Sequence, residues 1–353
     1  MKKYILAGCD LHDRSMMIIA SRRADAPHKR TFPNTASGRM ALVAWLHELA
    51  KGAPIVLAYE ASGLGFGLHD ELVLAGVRCH VLAPSRIERS SKQRYAKTDE
   101  KDARQILELL RGHYLAGNTL PVIWIPDAQT RDDRELSRGR LDAQAKSSRV
   151  KTQIRTLLKR NNVTRPEGVG SGWTRAYRQW LLALSECDEP LAPGARTILG
   201  SLLRQMAALE QEVALLDDQI KALAQTPRYE RQVKALIALA GVGWLTALVF
   251  MTEMGELTRF KNRRQVGSFL GLVPGMFESG ESDDRKGRIT RQGPSRVRQV
   301  LCQAAWNCVR GDPDEKIIYE RIVSKNPKRK KKALVATMRR LAIRMWHAAV
   351  EAA

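Results

Sequence analysis

Over the first hundred positions the apolar residues come in short runs. Tyr4 to Cys9 and Met16 to Ala20 flank the segment Leu11-His12-Asp13-Arg14-Ser15, which is the pattern of a strand hairpin. Helical periodicity follows from Met40 to Leu49. Ile55-Val56-Leu57-Ala58-Tyr59 then reads as a buried strand, Leu68 to Leu74 as a helix, and Val77 to Leu82 as a further strand. Strands alternating with helices predict an α/β domain.

From about Arg131 the texture changes to long, charged, helical sequence. Val150, Ile154, Leu157 and Leu158 form one apolar stripe. Leu199, Leu202, Leu203, Met206, Leu209, Val213, Leu216, Ile220 and Leu223 form a second at heptad-like spacing. The two predict a long antiparallel coiled-coil hairpin with its tip between Trp173 and Pro193, or, equally well, a helical bundle without oligomeric meaning. The remainder is a helical, basic region. In it Ala235 to Thr252 carries no charge, yet Gly241-Val242-Gly243 at its centre suits two short helices joined by a tight turn better than one membrane span. The expected organisation is therefore α/β plus all-α: residues 1–128, a coiled-coil segment 129–229 that serves oligomerisation, and a C-terminal domain 230–353.

Composition adds a partner to this outline. The 353 residues hold 59 Lys plus Arg against 37 Asp plus Glu, a formal charge of +22. Such a surface repels itself unless a polyanion neutralises it, which points to nucleic acid. The run Lys328-Arg329-Lys330-Lys331-Lys332, ahead of an amphipathic helix through Leu334, Met338, Leu341 and Met345, extends the basic surface. An apolar fraction of 44% excludes a disordered chain. Cys9, Cys79, Cys187, Cys302 and Cys308 form no CxxC pair, so neither a disulfide framework nor a zinc site is expected. With Asp10 interrupting the first apolar run, no secretory leader is read, and the expected location is cytoplasmic, on the nucleoid.

Four acids carry the candidate chemistry. Asp10 directly follows the first predicted strand and Glu60 the third, each where a buried strand emerges. Asp99 and Asp102 open a helix three residues apart, on one face. Hard cations such as Mg²⁺ take oxygen ligands of this kind, and paired ions serve phosphodiester chemistry. The plainer reading has Asp99, Glu100 and Asp102 complementing the helix dipole behind a Thr98 cap.

The order strand-Asp, strand-Glu, Asp-x-x-Asp helix resembles the RuvC-like branch of the ribonuclease H fold. Tyr59-Glu60-Ala61-Ser62-Gly63 and Lys97-Thr98-Asp99 to Asp102-Ala103 resemble, more narrowly, the motifs of the DEDD-type insertion-sequence transposases, the bridge-RNA-guided recombinases. Gly8-Cys9-Asp10-Leu11-His12 stands where Gly-Ile-Asp-Val is commoner. Gly241-Val242-Gly243-Trp244 resembles the helix-hairpin-helix-like start of the same family's C-terminal domain. Gly271-Leu272-Val273-Pro274, Ser279-Gly280, Gly287-Arg288-Ile289, Gly293 and Arg298 follow its signature order.

The resemblance implies that Ser279 is a nucleophile, with Ser282 as the nearby alternative, acting with Mg²⁺ on Asp10, Glu60, Asp99 and Asp102. Arg285, Lys286, Arg288, Arg291, Arg296 and Arg298 then balance phosphate charge. It further implies DNA as substrate, a structured guide RNA, and a dimer that becomes a tetramer on DNA, with no membrane. Two other classes fit the same residues. One is a metal-dependent nuclease or junction resolvase that uses water. The other is a non-catalytic RNA-binding scaffold.

Overall fold

The computed structural model describes residues 4–22, 25–87, 98–170, 172–277 and 285–353, and the side chains of Met276, Phe277, Arg285 and Lys286 fall outside the description. The chain divides into two compact units, Met1–Ile125 and Pro126–Ala353. The expected boundary near residue 128 lies close to that division. The one expected near residue 229 lies inside the second unit, where a single core includes Leu141 and Ile220 together with Val233, Phe250 and Leu341.

The first unit is a mixed five-stranded sheet with helices on both faces, consistent with the ribonuclease H-like expectation. Strands β1 (Ile5–Leu11), β2 (Ser15–Arg22), β3 (His28–Pro33), β4 (Ile55–Glu60) and β5 (Arg78–Leu82) lie in the order β3-β2-β1-β4-β5. The β1–β2 and β2–β3 pairs are antiparallel, and β4 runs parallel to both β1 and β5. Sequence periodicity missed β3. It lies at the sheet edge, and of its six residues only Phe32 is buried, so no alternation of polar and apolar residues marks it.

One face of the sheet packs against α1 (Ala36–Ala50) and α2 (Gly67–Leu74), through Ala7, Cys9, Leu57, Tyr59, Leu42 and Leu72. The other packs against α3 (Asp99–Ala116), through Leu6, Val56, Ala58, Ala103, Ile106 and Leu107. Thr98 caps α3 by accepting from the Lys101 amide at 3.3 Å, and Gly117 ends it at φ 77°.

In the second unit, α4 (Ala128–Arg160) and α6 (Pro193–Ala224) run antiparallel, as the pairs Arg140–Asp217 and Lys151–Glu210 require. The short α5 (Arg175–Glu186) packs against α6 and completes an apolar cluster with Ile154, Leu181, Leu199 and Met206. At mid-helix Leu209, Val213 and Leu216 are only half-buried.

The charge-free run becomes the end of α7 (Glu230–Ile237), a turn, and α8 (Trp244–Met254). Every residue of α8 from Ala247 to Met254 is buried, which is why the stretch from Ala247 to Met251 is apolar all round. Gly241, at φ 83°, faces α10 (Ser295–Gly311), where a Cβ would lie 2.4 Å from the Ala304 carbonyl oxygen. Close packing of core helices therefore accounts for this glycine. No described helix is long and apolar enough to cross a membrane. The cysteines are free, with Cys9, Cys79 and Cys308 buried and Cys187 exposed.

The chain continues through α9 (Arg263–Phe269), the hairpin of β6 (Pro274–Phe277) and β7 (Arg285–Ile289), α10, α11 (Pro313–Ser324) and α12 (Lys330–Glu351).

Candidate functional site

Parallel register brings two of the acids together. Cys9 pairs with Tyr59, so Asp10 and Glu60 are the next residues along adjacent strands. Both are the last or next-to-last residue of their strand, one step earlier than the sequence places them. Side chains alternate across a sheet. Cys9 and Tyr59 belong to the α1–α2 face, whereas Leu6 and Ala58 belong to the α3 face. Asp10 and Glu60 consequently project on the side of α3.

Gly8 brings α3 within reach of them. A Cβ there would lie 2.1 Å from the Ala103 carbonyl oxygen and 2.6 Å from the Leu107 amide nitrogen. Only a bare backbone permits that approach. Asp99 and Asp102, in the first turn of α3, are carried by the same contact toward the end of β1.

At this end of the sheet Asp10, His12 and Asp99 offer ligand atoms that all lie within 4.8 Å of one another. His12 Nε2 is 3.1 Å from Asp10 Oδ2 and 3.5 Å from Asp99 Oδ1. Burial pushes the Asp10 carboxyl above its ordinary range. His12 counteracts this, while the neighbouring Asp102 and Asp99 add to the rise. Asp102 and Glu60 stand outside the tight group but border it, the one by this electrostatic effect and the other by register.

Glu100, between the two helix acids, is committed elsewhere. It accepts from Lys29 at 2.5 Å and Arg104 at 3.3 Å, and these contacts lower its carboxyl. An open cleft of about 710 Å³, lined by Leu11, His12, Arg14, Ser62 and Gly63, adjoins the group.

Sequence reasoning passed over His12, reading it as part of a polar hairpin turn. The available signal was its position two residues beyond Asp10 at a strand end, which returns a side chain to the same face.

The donor set fits a divalent cation. Neighbouring ligands of an octahedral ion with bonds of about 2.1 Å lie about 3.0 Å apart, close to the 3.1 Å and 3.5 Å spacings here.

Ser279 and the alternative Ser282 lie in the β6–β7 connection, outside the described residues, as do the side chains of Arg285 and Lys286. The base of that hairpin is built from the surrounding motif. Gly271 (φ 63°) and Gly293 (φ 73°) let the two ends close, since Cβ atoms would come within 2.2 Å of the Gln292 carbonyl oxygen and 1.8 Å of that of Phe269. Arg298 Nη1 donates to the carbonyls of Leu270, Gln292 and Gly293 at 2.9 to 3.1 Å. One guanidinium nitrogen of Arg298 is thus committed to backbone. Arg296 pairs with Asp142 at 3.1 Å. Arg288, Arg291 and the run Lys328 to Lys332 are exposed.

Comparison with known proteins adds two family models that match in order. The DEDD transposase model of the IS110 type covers residues 7–162, and one described as "Transposase IS116/IS110/IS902 family" covers residues 233–320. The putative transposase y4qE of Sinorhizobium fredii is 34% identical over 259 residues, 73% of this chain but only 59% of that relative's length. The putative transposase y4rJ of the same organism is 28% identical over 312 residues, covering 83% of this chain and 76% of the relative. The transposase of insertion sequence element IS1533 from Leptospira borgpetersenii is 24% identical over 249 residues, 70% and 69% of the two chains.

Proposed function

We propose that the chain is a DEDD transposase of the IS110/IS116 type, as the two family models matching residues 7–162 and 233–320 support, and that it cuts and rejoins DNA strands, using the acid end of the first unit's sheet together with Ser279. The observation that carries the reading is the gathering of Asp10 and Asp99 around His12, with Asp102 and Glu60 at its border. Acids so placed repel one another, and a phosphodiester brings further negative charge. A divalent cation on Asp10, Glu60, Asp99 and Asp102, Mg²⁺ in the simplest case, would neutralise both.

In the proposed step the Ser279 Oγ attacks phosphorus. A serine–phosphate bond forms, one bridging P–O bond breaks, and the proton released from serine is returned to the departing oxygen. Reversal with a different strand end rejoins DNA without ATP, because the phosphoester is conserved. Arg288, Arg291 and Arg296, with the run Lys328 to Lys332, serve the nucleic-acid backbone. A structured guide RNA supplies sequence recognition, and a dimer or DNA-bound tetramer assembles through the α4–α6 helices, with the protein at the nucleoid.

The test is strand transfer on DNA carrying the element's ends. Ser279→Ala should abolish both joining and the protein–DNA adduct that survives denaturation, and Asp10→Asn should abolish cleavage. Normal joining by the Ser279→Ala protein would replace this reading with hydrolysis by a metal-dependent nuclease. Absence of cleavage and joining by the wild-type protein, with RNA binding unaltered in Asp99→Asn and Asp102→Asn, would replace it with a non-catalytic scaffold.

A further inference from the structure

From the contact of one imidazole with two carboxylates we infer that His12 is a nitrogen ligand of the cation site, and that this chain therefore prefers a first-row transition cation such as Mn²⁺ or Co²⁺ over Mg²⁺. The inference rests on the proposed acid site and adds to it the identity of the ion.

His12 is not a loose surface histidine. Its amide donates to the Ser15 carbonyl at 2.9 Å, which closes the β1–β2 turn. Its carbonyl accepts from Asn34 Nδ2 at 2.9 Å, and the Asn34 amide donates to the Arg14 carbonyl at 2.9 Å. Asn34 is held in turn by Arg39, whose Nη1 donates to its side-chain oxygen at 3.0 Å while its Nε pairs with Glu71 at 2.6 Å. A chain of polar contacts from α2 through α1 thus fixes the backbone from which the imidazole reaches Asp10 and Asp99. Pre-organisation of this kind is what a ligand position needs.

The chemistry of the donors supplies the preference. Mg²⁺ is hard, takes oxygen and keeps its waters, whereas imidazole favours transition ions, whose affinity for nitrogen donors rises from Mn²⁺ through Co²⁺. A site of carboxylates alone gives Mg²⁺ no such rival. Placing one nitrogen 3.1 Å and 3.5 Å from two carboxylate oxygens changes the ranking.

Calorimetric titration of the full chain with MnCl₂ and MgCl₂, with pulsed EPR of the Mn²⁺ complex, tests this without reference to catalysis. The wild-type chain should bind Mn²⁺ at least about tenfold more tightly than Mg²⁺ and show histidine nitrogen coupled to the electron spin. His12→Gln retains a donor to Asp10 but loses the imidazole. It should lose the coupling and weaken Mn²⁺ binding by roughly 10- to 100-fold, with Mg²⁺ affinity little changed. Asn34→Ala should fall between the two.

Unchanged Mn²⁺ affinity in His12→Gln, or absence of nitrogen coupling in the wild type, overturns the inference. If Asp10→Asn abolishes binding of both ions while His12→Gln does not, the acid site survives and only the role of His12 falls. If neither substitution alters binding, both fall.

Discussion

The two units handle buried or half-buried acids in opposite ways. In the second unit each buried acid among the described residues has its counter-group built in. Glu253, 6% exposed, takes a bidentate contact from Arg138 at 2.7 Å and 3.1 Å, with Arg134 at 4.0 Å. Glu315 faces Arg340 and Arg344, and Asp133 accepts from the Tyr229 hydroxyl at 2.5 Å beside Arg228. In the first unit Asp10 and Asp99 share one imidazole, and Asp102 adds repulsion. Paired acids join helices, whereas Asp10 and Asp99 meet at one shared imidazole. On the proposed function that contrast separates structural charge from functional charge within one chain, and substitutions in the two places should behave differently.

The largest expected effect is at Glu253. Removing it takes the bidentate partner from Arg138, which is left with Glu135 at 3.9 Å, and the 4.0 Å partner from Arg134 inside the α4–α8 contact. Glu253→Ala should cost about 3–5 kcal/mol of unfolding free energy in urea, with Mn²⁺ affinity unaltered. Asp10→Asn should show the converse, loss of ion binding with no loss of stability, since it relieves a crowded acid. A destabilised Asp10→Asn protein would erase the distinction.

Gly8 sharpens the comparison at somewhat smaller cost. Its added Cβ meets the backbone of α3, so Gly8→Ala must push the helix outward, at about 1–3 kcal/mol. Because Asp99 and Asp102 ride on α3, ion binding should weaken as well. Gly241→Ala meets the backbone of α10 in the same manner in the second unit and should cost a similar amount of stability while leaving ion binding intact. Calorimetry on the two variants separates the outcomes.

How far the chain was legible before folding follows the same physics. The buried strands, the two long helices and the charge-free run from Ala235 to Thr252 announced themselves because burial imposes a pattern. The edge strand β3 did not, since His28-Lys29-Arg30 is exposed and satisfies no pattern. The acids were legible by residue type and motif order, but His12 was not, because its meaning depends on Asp99, brought beside it by the Gly8 contact. Arg298 was read as facing phosphate; that one nitrogen of its guanidinium also gathers three carbonyls was not legible, because only the closing of Gly271 against Gly293 creates that need.

The smallest effect concerns Asp127, an exposed acid of the second unit that is paired all the same. Burial alone would raise its carboxyl. The Thr130 hydroxyl and amide, followed by Arg228, outweigh that and bring it down to about 2. A lowered folded-state value means that the charged form stabilises the fold above the ordinary carboxylate range, and that this contribution is lost as pH falls from about 4 toward 2. The side chain is 57% exposed, so solvent screens the ion pair to below about 1 kcal/mol. Asn caps a helix as well as Asp does. Asp127→Asn should therefore keep the α4 cap and lose only the pH-dependent part, flattening the acid limb of urea stability between pH 4 and 2. Asp127→Ala should lose about 1 kcal/mol more at neutral pH, from the cap. An acid limb identical in Asp127→Asn and wild type would place this residue with the unpaired surface acids and narrow the contrast to the buried ones.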